Sequence, residues 1–177
     1  MLIPDDIRKC VVFLAYRLAN GRFRLAGTAW FVGRLIENSE RSLPFLVTAK
    51  HVIEGIRSKG LDKVFVRYNL ANGTSQLAET DIEDWLGHAT DPTIDVAAIQ
   101  GGVPEGGDHL LYAFERFATP DVIRSQAIGI GDDVFLTGLF ANHVGRSRNI
   151  PILRAGNIAA MPEEHVDTSL GPMEAYL

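Results

Sequence analysis

Cysteine is nearly missing from these 177 residues. Cys10 stands alone, so the chain can form no internal disulfide and suits a reducing compartment. An excess of positive charge is missing too: 17 Lys and Arg face 22 Asp and Glu, for a net charge of -5. That balance excludes the basic footprint of a nucleic-acid binder, and the local cluster Arg146, Arg148 and Arg154 reads as a solvated loop. No apolar run approaches the ~20 residues of a membrane span. The first ten residues, MLIPDDIRKC, put two aspartates where a signal peptide needs a positive region and then an apolar stretch. The expectation is therefore a cytoplasmic protein with no membrane and no nucleic-acid partner. His88, His109, His143 and His165 lack the close spacing of metal ligands, so no metal is expected. GIGDDV (129–134) fails as a dinucleotide loop, because Val134 occupies the last glycine position and a β-type run comes next instead of a helix. No cofactor is expected.

What the chain does have is a succession of short β-like runs broken by turn residues. VVFLAYRL (11–18) and GTAWFVGRL (27–35) flank Asn20-Gly21, a strong hairpin signal. PFLVTA (44–49) is the next run. VFVRYNL (64–70) and TSQLAET (74–80) are joined by Ala71-Asn72-Gly73, a second hairpin. Then come DVAAIQ (95–100), the Gly- and Pro-rich GGVPEGGD, a stretch of uncertain type over 109–126, and DDVFLTGLF (132–140). PILRAGNIAA (151–160) and MEAYL (173–177) close the series. Many short strands at this spacing predict an all-β fold, a sandwich or barrel. GGVPEGGD is the best candidate for a linker, which divides the chain into units 1–107 and 108–177. With 46% hydrophobic residues the chain can bury a sizeable core.

The stretch FLVTAKHV (45–52) leads a strand through small residues into His51, where one turn of helix is expected to begin. A side chain delivered at a strand end is held rigidly enough to act as a general base. Such a base needs an orienting carboxylate. Asp95, in TIDVAAI, stands directly before an apolar run, where its side chain can accept the imidazole N–H, fix the tautomer and stabilise the imidazolium. Alone, His51 also reads as an ordinary core histidine and Asp95 as a turn residue after Asp91-Pro92. Cys10 precedes the histidine and reads as a buried structural thiol rather than a nucleophile.

Taken together, these strings resemble the trypsin-like serine peptidases of the chymotrypsin fold, in particular the bacterial branch that includes the HtrA/Deg proteases. VTAKHV resembles the Thr-Ala-x-His motif of that family, IDVAAI its Asp-[Ile/Val]-Ala strand, and GTAWFVG the small-residue-rich strand before the histidine. IGIGDDVFLTGLF resembles the strand that opens the second barrel, and ILRAGNIAA a later strand of it. His51 and Asp95 are 44 residues apart, close to the roughly 45 of the chymotrypsin triad. The resemblance covers roughly residues 10 to 177. It implies two antiparallel β-barrels, the second incomplete, with peptide hydrolysis in the crevice between them. A serine would attack the substrate carbonyl, His51 would take and return the proton, Asp95 would orient His51, and backbone N–H groups would bind the oxyanion. The implied partner is a polypeptide substrate.

One part of that pattern is absent. No Gly-[Asp/Asn]-Ser-Gly-[Gly/Ser]-Pro loop occurs, and the nearest string is DTSLGP (167–172), which offers Ser169 with Gly171 and Pro172 at the right offsets. Leu170 replaces the glycine after the serine, and Thr168 replaces the usual Asp or Asn. The chymotrypsin triad puts its serine about 93 residues after the aspartate, whereas Ser169 comes 74 after Asp95. The expectation is that the nucleophile lies beyond Leu177 and that the chain is inactive by itself. The alternatives are Ser169 as an unusual nucleophile, a protease-fold binding module without turnover, and an unrelated small β-barrel ligand binder.

Overall fold

The computed structural model describes residues 4–101, 104–140, 142–168 and 171–177. Strand accounts for 41% of the residues and helix for 15%, so the all-β reading holds. A 3₁₀ turn over Asp5–Cys10 leads into β1 (Val11–Arg17), β2 (Phe23–Leu35) and β3 (Ser42–Thr48). The helix α1 (Lys50–Arg57) is next, then β4 (Lys63–Asn69), β5 (Ser75–Asp81), β6 (Leu86–Gly87), β7 (Ala97–Gln100) and β8 (Tyr112–Ala113). These strands form one sheet in the order β5-β4-β1-β2-β3-β7-β6, with β8 added parallel to β2.

Both expected hairpins are present, and for the expected reason. Gly21 has φ +80° and Gly73 has φ +83°, backbone that glycine adopts without the steric cost of a Cβ. The side chain of Asn20 accepts the Arg22 N–H at 3.1 Å, and that of Asn72 accepts the Thr74 N–H at 3.0 Å. Between β1 and β2, Leu14 pairs with Gly27 but Ala15 pairs with Leu25, so Ala26 bulges out of the ladder.

The main core cluster lies on one face of this sheet, while β1 also buries Val11, Phe13 and Ala15 on the other. Val12, Leu14 and Tyr16 of β1 meet Phe31, Val64, Val66 and Tyr68, and Ile53 and Ile56 of α1 join them. The alternation of β4 places Val64, Val66 and Tyr68 inward and Arg67 and Asn69 outward. The sheet does not close through hydrogen bonds among the described residues. Its two end strands are nonetheless consecutive in the chain: β5 ends at Asp81, a 3₁₀ turn occupies Ile82–Asp84, and β6 starts at Leu86. Ile82 and Trp85 of this connection are buried in the same core.

The C-terminal part is less regular. The uncertain stretch resolves into β8, a 3₁₀ turn (Phe114–Arg116) and a short α2 (Pro120–Ser125), capped by Thr119, which accepts the Val122 N–H. β9 (Asp133–Gly138) pairs only with β10 (Ile152–Asn157), and β11 (Val166–Thr168) only with β12 (Gly171–Met173), among the described residues. The expected terminal strand MEAYL is not one: regular structure stops at Met173, and Leu177 exchanges backbone hydrogen bonds with Ala160 instead. Val134 and Leu136 of β9 stay exposed. The division at residue 107 falls in the loop between β7 and β8. Across it, segment 144–149 docks on the outward side chains of β4. Arg67 donates to the carbonyls of Gly145 and Arg146, each at 3.2 Å, and Asn69 exchanges hydrogen bonds with the Asn149 backbone. No helix among the described residues is long and apolar enough to cross a membrane.

Candidate functional site

β3 and β7 are antiparallel neighbours, with Thr48 opposite Ala97. The chain leaves β3 and enters β7 at the same end of the ladder, so the residues after Thr48 meet the residues before Ala97. Thr48 is buried and donates its hydroxyl to the Thr28 carbonyl at 2.7 Å, which anchors the strand end. Ala49 is the N-cap of α1 and offers no side-chain acceptor to the helix's free N–H groups. His51 therefore sits in the first turn of α1 rather than before it, a small departure from the expected strand-end placement.

Asp95 supplies what Ala49 lacks. Its Oδ1 accepts the His51 backbone N–H at 2.8 Å, and its Oδ2 lies 2.6 Å from His51 Nδ1. A carboxylate can only accept, so Nδ1 carries the proton, and in the neutral ring the lone pair is on Nε2. The two side chains are 47% and 24% exposed, so the ring is open to solvent while the carboxylate is better shielded. The loop that carries Asp95 is itself organised. Asp91 accepts both the N–H and the hydroxyl of Thr93, at 2.9 and 2.6 Å, and these bonds hold its carboxyl below the usual range. Lys50 donates to the Pro92 carbonyl at 3.3 Å, which ties the same loop to α1.

The pair borders a cleft of about 220 Å³ whose walls include Lys50, Glu54 and Pro92 and, from the distant β12, Pro172 and Met173. Ser169 lies outside the described residues. Its described neighbours Thr168 and Gly171 face each other across the β11–β12 ladder. A larger cavity, about 440 Å³, lies between the β2–β3 face and β9–β10 and is lined by apolar groups including Trp30, Val47, Phe135 and Leu153. Neither His51 nor Asp95 lines it, and of the two only the smaller cleft holds the His51–Asp95 pair.

Of the remaining candidates, His88 accepts the Asp91 N–H at 2.9 Å and His165 lines a hollow that Asp95 shares, while Cys10, His109 and His143 do not line the cleft. Cys10 is buried, and that burial pushes its thiol up from the ordinary value. His88, His143 and His165 are exposed, and His109 packs its ring against Phe31. No group of three His, Cys, Asp or Glu residues could hold a metal ion among the described residues. Arg148 comes within 3.8 Å of Asp108, and Arg154 stacks over Phe140, so the arginine cluster is dispersed. Sequence reasoning missed the approach of Pro172 and Met173, although Gly171-Pro172 was already visible in DTSLGP. It also missed the Lys50 tether, for which the sequence holds no signal.

No protein-family model matches the chain. No curated protein matches it in sequence either.

Proposed function

We propose that this chain carries the base and its orienting acid for a trypsin-like serine peptidase, built on the two-barrel plan and acting on a polypeptide. The observation that carries this reading is the double hold of Asp95 on His51, which engages Nδ1 and leaves Nε2 as the available nitrogen of a ring open to solvent. In this reading a serine hydroxyl attacks the peptide carbonyl while Nε2 takes its proton, and the same proton passes to the leaving amine. Water then repeats the sequence on the acyl-enzyme. The curvature implied by end strands that are consecutive in the chain supports the barrel plan for the first half. The approach of Pro172 and Met173 to the cleft supports Ser169 as the hydroxyl to test first.

Two measurements test it. Nitrogen-15 NMR of the imidazole should show the Nδ1–H tautomer in the unliganded protein, and an Nε2–H ring would refute the base. A fluorophosphonate probe then identifies the hydroxyl: labelling lost in both Ser169→Ala and His51→Ala assigns Ser169, and labelling that survives His51→Ala refutes the role of His51. A probe-silent chain with the Nδ1–H tautomer leaves the acid–base pair without a nucleophile of its own. A second reading, a β-rich binder of apolar ligands, is favoured by the 440 Å³ cavity alone.

A further inference from the structure

His51 stands between two hollows of opposite charge. On one flank the cleft shared with Pro172 and Met173 carries Glu54 and Asp95 against one cation, Lys50, and an adjoining hollow of about 420 Å³ adds Asp91 and Glu174, so carboxylates outnumber cations on that side. On the other flank lies a depression of about 320 Å³ lined by Tyr16, Arg24, Leu25, His51, Gly55 and Lys59. No carboxylate lines it among the described residues.

Six of the 17 Lys and Arg residues, Arg8, Lys9, Arg57, Lys63, Arg124 and Arg148, pair with a carboxylate. Among the described residues neither Arg24 nor Lys59 makes such a pair. Lys59 is held instead over the Tyr16 ring, 5.7 Å from its centroid, which orders a flexible side chain at the rim of the depression. Arg24 comes from β2 and Lys59 from the turn after α1, so two separate elements bring like charges to one hollow. Like charges placed together repel, and an incoming anion relieves that repulsion.

We propose that this depression is a subsite for an acidic side chain, glutamate or aspartate, of the polypeptide substrate next to the bond that His51 serves. The assignment rests on the peptidase reading for its substrate class. A chain passing His51 sets neighbouring side chains on either side of the ring, and the acidic hollow repels a carboxylate while the basic one accepts it.

The test uses the 177-residue protein and two capped pentapeptides that differ only in a central glutamate or glutamine. Titrations monitored by NMR should show the glutamate peptide binding about tenfold more tightly, as two partly exposed charge pairs would give. The backbone signals of Val52 and Gly55 should shift. The preference should fade at about 0.5 M salt, where the screening length falls to roughly 4 Å. It should vanish when Arg24→Gln and Lys59→Gln are combined, in a variant whose thermal midpoint matches the parent. Equal affinity for the two peptides, or a glutamate preference that survives the double variant, overturns the subsite. Failure here is separable from failure of the peptidase reading: an Nε2–H ring with an intact glutamate preference refutes the base alone, and an Nδ1–H ring without it refutes the subsite alone.

Discussion

Asp95 holds His51 at two points, the backbone N–H through one carboxylate oxygen and the imidazole through the other. Capping a helix and orienting a ring are usually the tasks of two residues. Here the same carboxylate does both, so its replacements should separate them. Asp95→Asn keeps a carbonyl oxygen for the backbone but can turn an amide N–H toward Nδ1, which forces the proton to Nε2. The expected outcome is near-parental stability with a switched tautomer in nitrogen-15 NMR. Asp95→Ala should also lose about 1 kcal/mol of stability with the cap. A parental tautomer in Asp95→Asn would contradict this division.

Gly27 is set by a neighbour rather than by its own backbone. A Cβ there would lie 2.8 and 2.9 Å from the methyl groups of Val52, the residue after His51. Valine is stiff about its first side-chain torsion and cannot swing aside within a helix. Gly27→Ala should therefore cost about 1–3 kcal/mol and shift the His51 ring signals. Adding Val52→Ala should recover most of the loss, and a double-mutant cycle with no coupling would rule out this contact as the cause.

The docking of segment 144–149 centres on Asn149. It is 1% exposed, its side-chain amide donates to the Arg67 carbonyl at 2.6 Å, and its Oδ1 has no partner among the described residues. Asn149→Ala should destabilise by about 1–3 kcal/mol, because the Arg67 carbonyl loses its donor in a dry place. Hydrogen exchange should rise first at residues 144–149. A uniform rise over the whole chain would mean that this docking is not a separable unit.

Legibility varied with the kind of interaction. The hairpins at Asn20-Gly21 and Asn72-Gly73 were legible because a turn with positive φ demands particular residues. The contact of His51 with Asp95 was legible because an imidazole N–H and a carboxylate are complementary hydrogen-bond partners. The β2–β8 pairing was not, since two residues, Tyr112 and Ala113, carry no period. α2 was not legible either, because its six residues carry no helical repeat. The docking of 144–149 was invisible for a different reason: Arg67 and Ser75 bind backbone carbonyls there, and a carbonyl is the same in every residue. MEAYL misled because its apolar content suited a strand, whereas Leu177 pairs by backbone with Ala160 outside any ladder.

Cys10 gives a pH-dependent expectation. Burial, with a smaller contribution from the Asp6 carboxylate, raises its thiol above the ordinary 9.0. The folded protein thus disfavours the thiolate that the unfolded chain forms. The stability linked to Cys10 is complete below pH 9.0 and falls as the pH rises through that value. Urea unfolding at about pH 8 and pH 10 should show up to about 1 kcal/mol more loss in the parent than in Cys10→Ala. Native protein should also resist thiol alkylation that the unfolded chain undergoes readily, and fast native alkylation would contradict the burial.

The ladder between β3 and β7 has a consequence in time. The β1–β2 and β4–β5 hairpins join neighbours in the chain, and such units form within about 1–10 μs. Thr48 and Ala97, by contrast, can meet only after the intervening β4, β5 and β6 have been gathered in, and closure over that distance is slow. In refolding, the downfield Nδ1–H signal of His51 should therefore trail the fluorescence change of the buried Trp85. During synthesis, His51 lacks its Asp95 partner until the strand through Gln100 has emerged from the ribosome, so the ring is oriented only once the β3–β7 ladder is complete.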